Sequence, residues 1–362
     1  MKTGLIAVFA CASSPFFAQS AIPTPSLEIE FSTSNGGAPL SLPSFAISQL
    51  PICFSSDSCA LAVVTDPQNR AHQLPVMFDV SGKSRAVDPA SVERLSYVQV
   101  LTAAPTADGI AVLIHAATSG DETGSRVVPK PDKEPDPSRL HDGYYVSFFD
   151  RDGKPDGVYP LDPRYDPVKV AYLGGDRLIV LLFDKVRGAP VLGIMTSDGQ
   201  LVRILDDQGI LPSGDELMKS SSFRLPEHAS ESLKHISISG TMSSWQVGYA
   251  GNRLLLLEPG ASPSIVEVSQ SGAMRKVRLK MPEGVTANSI ISSDRAWLLR
   301  CFPVNSSDAG TLLEFDPENG RVLRQVSTKG TPPTSIFYAD QGTYFASWWD
   351  KEHKRVLILK SK

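Results

Sequence analysis

The chain has 362 residues, 41% of them apolar and 20% charged, with a formal net charge of −4. Basic residues are scattered among acidic ones, which excludes the electrostatic footprint of a nucleic-acid-binding protein. A chain of this size can hold two average domains, but large all-β folds run this long as one unit.

Residues 1–20 read as an export signal. Lys2 supplies a short positive region, Gly4 to Ala18 is uncharged and mostly apolar, and Ala18-Gln19-Ser20 places small residues where a signal peptidase cuts. The apolar stretch is too short for a membrane span and Pro15 interrupts it. The mature protein is expected to start near Ala21 and to be secreted or periplasmic. The rival reading is lipidation at Cys11, because Val8-Phe9-Ala10-Cys11 loosely resembles a lipobox.

Leu27-Glu-Ile-Glu-Phe31 then alternates as a strand exposed on one face. Cys53 and Cys59 bracket the polar loop Phe-Ser-Ser-Asp-Ser, and export favours oxidation, so a disulfide closing this hairpin is expected. Cys301 lies in an apolar run and reads as a small buried hydrophobe. No Cys/His spacing suggests zinc.

From Phe45 onward a four-strand unit recurs. Its outer half is an apolar strand, a polar turn ending in Gly, and a second strand. Examples are Val76-Met-Phe-Asp-Val-Ser-Gly82, Val146-Ser-Phe-Phe-Asp-Arg-Asp-Gly153, Gly193-Ile-Met-Thr-Ser-Asp-Gly199, Ile265-Val-Glu-Val-Ser-Gln-Ser-Gly272 and Leu312-Leu-Glu-Phe-Asp-Pro-Glu-Asn-Gly320. Such turn words work because Gly takes positive φ and the polar residue hydrogen-bonds the turn backbone. The inner half is a more apolar pair, such as Val168–Leu173 turning through Gly174-Gly175-Asp176 into Leu178–Phe183. Apolar runs of this length suit strands buried on both faces.

Six such units predict an all-β, six-bladed propeller with four-stranded antiparallel blades, as a single domain over 21–362. The sixth unit stops one strand short, so Leu27–Phe31 is expected to complete it and close the ring. A β-sandwich or two smaller β domains is the alternative. Two insertions interrupt the repeat: a proline-rich mobile loop at 119–142, and an inter-blade segment at 208–240 with a short helix at 215–220 capped by Ser213.

The wording Phe78-Asp-Val-Ser-Gly82 and Phe149-Asp-Arg-Asp-Gly153 resembles that of the NHL-like and related exported bacterial six-bladed propellers. That resemblance implies binding of proteins or carbohydrates through the ends of the ring. In the gluconolactonase-like branch it implies a calcium- or zinc-dependent lactonase with channel-lining Glu, Asn and Asp residues. Asn288, at the entry of an inner strand, is the position that such a ligand would take.

Other chemistry is sparse. Asp150, Asp152 and Asp156 in Asp-Arg-Asp-Gly-Lys-Pro-Asp-Gly alternate as calcium loops do, but no bidentate Glu follows and a hairpin turn accounts for them. The six histidines form no metal pair, and no Gly-x-Ser-x-Gly elbow or phosphate loop occurs. Tyr344 with Trp348-Trp349 offers an aromatic group that suits packing between blades more than a platform. The expectation is a monomeric, non-enzymatic module without cofactor that binds a protein or carbohydrate through loops at one ring face. The alternative is the metal-dependent lactonase.

Overall fold

The computed structural model describes residues 26–31, 38–40, 51–61, 74–89, 95–118, 143–205, 207–220, 228–260, 262–303, 311–329, 335–350, 352–353 and 355–361. The export segment with Cys11 and the stretch 119–142 lie outside them.

The turn words cut the chain into short strands. After β1 (Ser26–Glu30) and β2 (Ala38–Leu40), three antiparallel meanders form separate four-stranded sheets. The first is β3 (Ile52–Ser55), β4 (Ser58–Leu61), β5 (Val76–Phe78) and β6 (Ser84–Ala86). The second is β7 (Leu95–Pro105), β8 (Gly109–Thr118), β9 (Gly143–Asp150) and β10 (Pro155–Pro160). The third is β11 (Tyr165–Gly174), β12 (Arg177–Asp184), β13 (Ala189–Thr196) and β14 (Leu201–Ile204).

Two helices follow, α1 (Gly214–Ser220) and α2 (Glu231–Ser243). The chain then resumes with β15 (Gln246–Ala250), β16 (Arg253–Glu258), β17 (Ser264–Val268) and β18 (Met274–Arg278). A further meander is β19 (Val285–Ser293), β20 (Trp297–Pro303), β21 (Thr311–Phe315) and β22 (Val322–Lys329). The last strands are β23 (Ser335–Asp340), β24 (Thr343–Asp350) and β25 (Arg355–Lys360).

The fold is all-β, yet the expected closed ring of six separate four-stranded blades is not what the chain builds. β1, β2 and β15 to β25 join in one mixed sheet of 13 strands, and among the described residues hydrogen bonding closes no ring. The merger has a local cause: inner strands of successive meanders come close enough to pair in parallel, at Ala250↔Ser293 and at Ser292↔Tyr338 and Ser293↔Ala339. Nor does Leu27–Phe31 complete the last meander. Its strand β1 pairs in parallel with β22, Ser26↔Gln325 through Glu30↔Lys329, and β2 is the segment that pairs with β25. The alternation of β1 fits either partner, because Ile29 and Phe31 are buried in the cluster that also holds Val326, Leu357 and Leu359.

β3 packs against β7, β15, β19 and β23. Phe54 of β3 meets Tyr172 and Tyr249 edge-to-face at 4.7 and 5.3 Å, and the Tyr172 N–H donates to Tyr249 Oη at 2.7 Å. Such ring pairs add to their burial energy, and the bond satisfies a hydroxyl that has left water. Cys53 and Cys59, register partners on β3 and β4, are joined by a disulfide with a Cα–Cα distance of 4.0 Å. Cys301 is buried without a disulfide, and desolvation pushes its thiol up to about 12.

One turn recurs between the third and fourth strands of the meanders. In it the first residue's N–H donates to a carbonyl four residues on, and the glycine N–H donates back to the first carbonyl. The set is Asp79/Gly82, Asp150/Gly153, Thr196/Gly199 and Ser269/Gly272, with Asp316/Gly320 one residue longer. All five glycines have positive φ. The glycine also docks the turn on the outer strand of the preceding meander. A Cβ on Gly153 would lie 2.7 Å from Arg85 of β6, on Gly199 2.0 Å from Tyr159 of β10, on Gly272 2.7 Å from Arg203 of β14, and on Gly320 2.2 Å from the Arg278 carbonyl oxygen of β18.

Two substitutions separate docking from backbone conformation. Gly320→Ala must accept φ +67° and a collision with backbone, whereas Gly342→Ala at φ +82° has nothing within 4 Å. Urea denaturation should show a loss of about 1 kcal/mol for Gly342→Ala and roughly 3 kcal/mol for Gly320→Ala.

Candidate functional site

Among the described residues a wide concavity lies where the helical insertion meets the β15–β18 meander. It measures about 900 Å³, against about 270 Å³ for the hollow beside Asp294 and Arg324 and about 120 Å³ for the one beside Asp57 and Arg151. Leu217 and Ser220 of α1, Gly240 and Thr241 of α2, and Ser244 and Trp245 form one side. Glu258, Pro259, Gly260, Ser262, Ser264, Lys276 and Arg278 form the other. Pockets of this size that combine apolar lining with a few convergent polar groups are the usual form of small-molecule sites.

The helices are held by specific contacts. Ser213 and Glu216 form a reciprocal cap: the Ser213 N–H and Oγ–H donate to Glu216 Oε2 at 2.7 and 2.9 Å, and the Glu216 N–H donates to Ser213 Oγ at 3.3 Å. These bonds hold the Glu216 carboxyl below its usual range, backbone donor first. α1 thus starts beside the expected cap Ser213. Gly214 approaches so closely that a Cβ there would lie 2.0 Å from the Gly188 carbonyl oxygen. α2 begins at N-cap Ser230, whose side chain accepts from the Leu233 N–H. It buries Ile238 and Met242 in the same core as Phe183, and its His235 ring meets that of Phe183 at 5.0 Å.

Beneath the helices, Asp184 organises the β12–β13 turn. Its carboxylate accepts a two-pronged bond from Arg164, Nε at 3.0 Å and Nη2 at 2.6 Å, and further bonds from the N–H groups of Val186 and Arg187. Burial raises this carboxyl, but the Arg164 and backbone bonds outweigh it, so its pKa lies below the ordinary value.

In the cleft, Glu258 Oε2 accepts from Lys276 Nζ at 2.6 Å and from Ser264 Oγ at 2.8 Å. Arg278 Nη2 donates to Ser262 Oγ at 2.6 Å and is exposed, while Trp245 is buried behind it. Glu258 therefore neutralises Lys276, and Arg278 is left as the cation that faces an incoming group.

The residues singled out from sequence lie elsewhere, Asp150, Asp152 and Asp156 in the β9–β10 hairpin and Asn288 on β19. Asp150 Oδ1 accepts from the Asp152 and Lys154 N–H groups at 2.9 Å each, so its carboxylate is engaged in the turn, and Asp152 and Asp156 are exposed. Asn288 is the bulged residue between Ala287 and Ser289 of β19 and is exposed. Among the described residues no three His, Cys, Asp or Glu side chains lie close enough to share a metal ion. Tyr344 is buried and Trp348 packs half-buried against the cluster around Phe31.

Sequence reasoning missed α2 and with it the cleft. The N-cap Ser230 is a readable signal, but the exposed Leu233 and Ile236 blur the apolar stripe that Ile238 and Met242 make.

These features define an all-β protein of antiparallel meanders with a helix-lined cleft. No family model matches the sequence, and no curated protein matches it. Solved structures do match, all distantly. Virginiamycin B lyase from Staphylococcus aureus is 13% identical with a TM-score of 0.35, covering 88% of this chain and 97% of that one. The Dos1 propeller is 12% identical with a TM-score of 0.34, covering 73% and 62%. Dipeptidyl peptidase 4 from Porphyromonas gingivalis is 10% identical with a TM-score of 0.37, covering 82% and 43%. Likenesses this loose include propeller-type folds and carry no activity across to this chain.

Two outcomes test the support beneath the cleft. Gly214→Ala should push α1 away from the 184–188 turn and lower stability by roughly 2 kcal/mol in urea melts, with the α1 amides losing hydrogen-exchange protection. Because the folded pKa of Asp184 is depressed, its stabilisation is complete above the unfolded carboxylate value near pH ~4 and disappears as pH falls through the folded value. The difference in stability between the wild type and Asp184→Asn should therefore be constant from pH 7 to about 5 and shrink below about 4.

Proposed function

We propose that this is an exported, non-enzymatic binding module whose ligand occupies the cleft between the helix pair and the β15–β18 meander. The observation that carries the reading is the cleft itself: about 900 Å³, apolar at Leu217 and Trp245, with a Glu258–Lys276 pair and the exposed Arg278 at its rim. The Cys53–Cys59 disulfide supports an oxidising compartment. No helix of the described residues is long and apolar enough to cross a membrane. The lactonase alternative needs converging carboxylates, and its candidates lie apart: Asp150 bonds its own turn, Asp152 and Asp156 are exposed beside it, and Asn288 is an exposed bulge on β19.

The ligand is expected to be a small organic anion with an apolar body, matched to Arg278 and to the floor. A thermal-shift panel of monocarboxylates, uronic acids, amino acids and sugar phosphates, run beside a lactone and ester turnover assay, tests this. At least one anionic compound should raise Tm saturably in the wild type. That response should fall more than about ten-fold in affinity in Arg278→Glu, consistent with loss of a charge-assisted bond and its reversal. A flat panel, or turnover of a lactone, would remove the reading.

A further inference from the structure

Arg300 of β20 has a carbonyl where a cation leaving water calls for an anion. Its Nη2 donates to the Ile336 carbonyl oxygen of β23 at 3.1 Å, and no described acid pairs with it. The side chain is half-buried, and desolvation draws its pKa down. A charge in such a place is expensive unless it is compensated.

Its register partner across the ladder is Ser289 of β19. Ser289 is 5% exposed, and its Oγ has no hydrogen-bond partner. Cross-strand partners project to the same face of a sheet, and here the flanking Leu298 and Leu312 pack with Ile336 on that face. The arginine therefore passes Ser289 on its way to β23. The bulge at Asn288 sets this pairing, because without it Ser289 would fall out of register with Arg300.

Among the described residues, a cation without an anion and a buried hydroxyl without a partner are thus cross-strand neighbours on one face of the β19–β20 ladder, beside β23. One missing group satisfies both: an anion that accepts from the free N–H groups of Arg300 and from the Ser289 hydroxyl. We propose that Arg300 and Ser289 form a binding site for a small monovalent anion, a halide ion or a carboxylate group. The site is separate from the cleft and does not depend on the cleft's ligand.

The test is anion titration of the full chain in dilute HEPES buffer free of halide and carboxylate, read by thermal shift and calorimetry, with chloride, bromide and acetate as separate arms. Wild type should show a saturable response to at least one of them. A halide response assigns an inorganic ion, and a response to acetate alone assigns a carboxylate-bearing ligand. Arg300→Met should abolish it, Arg300→Lys should weaken it by about ten-fold, and Ser289→Ala by about three- to ten-fold.

In the anion-free buffer alone, Ser289→Ala should melt no lower than wild type, because it removes an orphan hydroxyl. Should Arg300→Met fail to fold, the lysine and alanine variants still decide. Crystals grown in bromide should carry an anomalous peak between Arg300 and Ser289 if the halide arm responds. No saturable response in any arm, or the same response in wild type and all folded variants, would overturn the proposal.

Discussion

The seat of four turn glycines against the preceding meander is the constraint on which the architecture rests. A flat outer strand offers a neighbour little to grip, and β-meanders joined only by their loops would slide. At Gly153, Gly199, Gly272 and Gly320 the absent side chain lets backbone come within van der Waals reach of β6, β10, β14 and β18. Close approach of this kind fixes both spacing and angle, and it repeats down the chain. The last meander has no such turn, because its fourth strand, β2, comes from the other end of the chain. Beside β22 the place is taken by β1, which buries Ile29 and Phe31.

Tight seating alone does not fuse the sheets: the first three meanders stay separate although Gly153 and Gly199 seat closely, whereas the inner strands β15, β19 and β23 pair directly. Between β14 and β15 the chain leaves the sheets for α1 and α2 instead. The helices therefore fill the junction of the third meander with the next, and the cleft is the space they leave uncovered. Its chemistry follows from strand ends rather than from a dedicated motif: Glu258 closes β16, Ser264 opens β17, and Lys276 and Arg278 lie on β18.

The recurring turns were legible because their chemistry is local. Asp-x-x-Gly and Ser-x-x-Gly state both the side-chain bond and the positive φ, and three of the five turns carry those words, with Thr196-Ser-Asp-Gly199 and the longer Asp316–Gly320 as variants. The cap at Ser213 and Glu216 was legible for the same reason. Partnership between distant strands was not. Leu27–Phe31 has the alternation of an outer strand, and alternation names a buried face without naming the neighbour. The same limit hid Arg300 and Ser289, whose juxtaposition depends on a bulge that moves register by one residue. Asp150 follows the same local logic: in a string shaped like a cation loop its carboxylate bonds its own backbone, as a hairpin turn implies.

The pairing of β1 with β22 and of β2 with β25 also sets the order in which the molecule can be completed. Ser26 waits for Gln325, and Leu40 for Val356. Neither ladder can form until nearly the whole chain is present, and each closes a loop whose entropic penalty grows only logarithmically with length. The folding rate is limited more by the search for such remote partners than by the stability they confer. Until then the edge of β22 and the outer side of β25 stay unpaired, so a nascent chain remains unfinished at one seam and exposes open strand edges until its last strands are made.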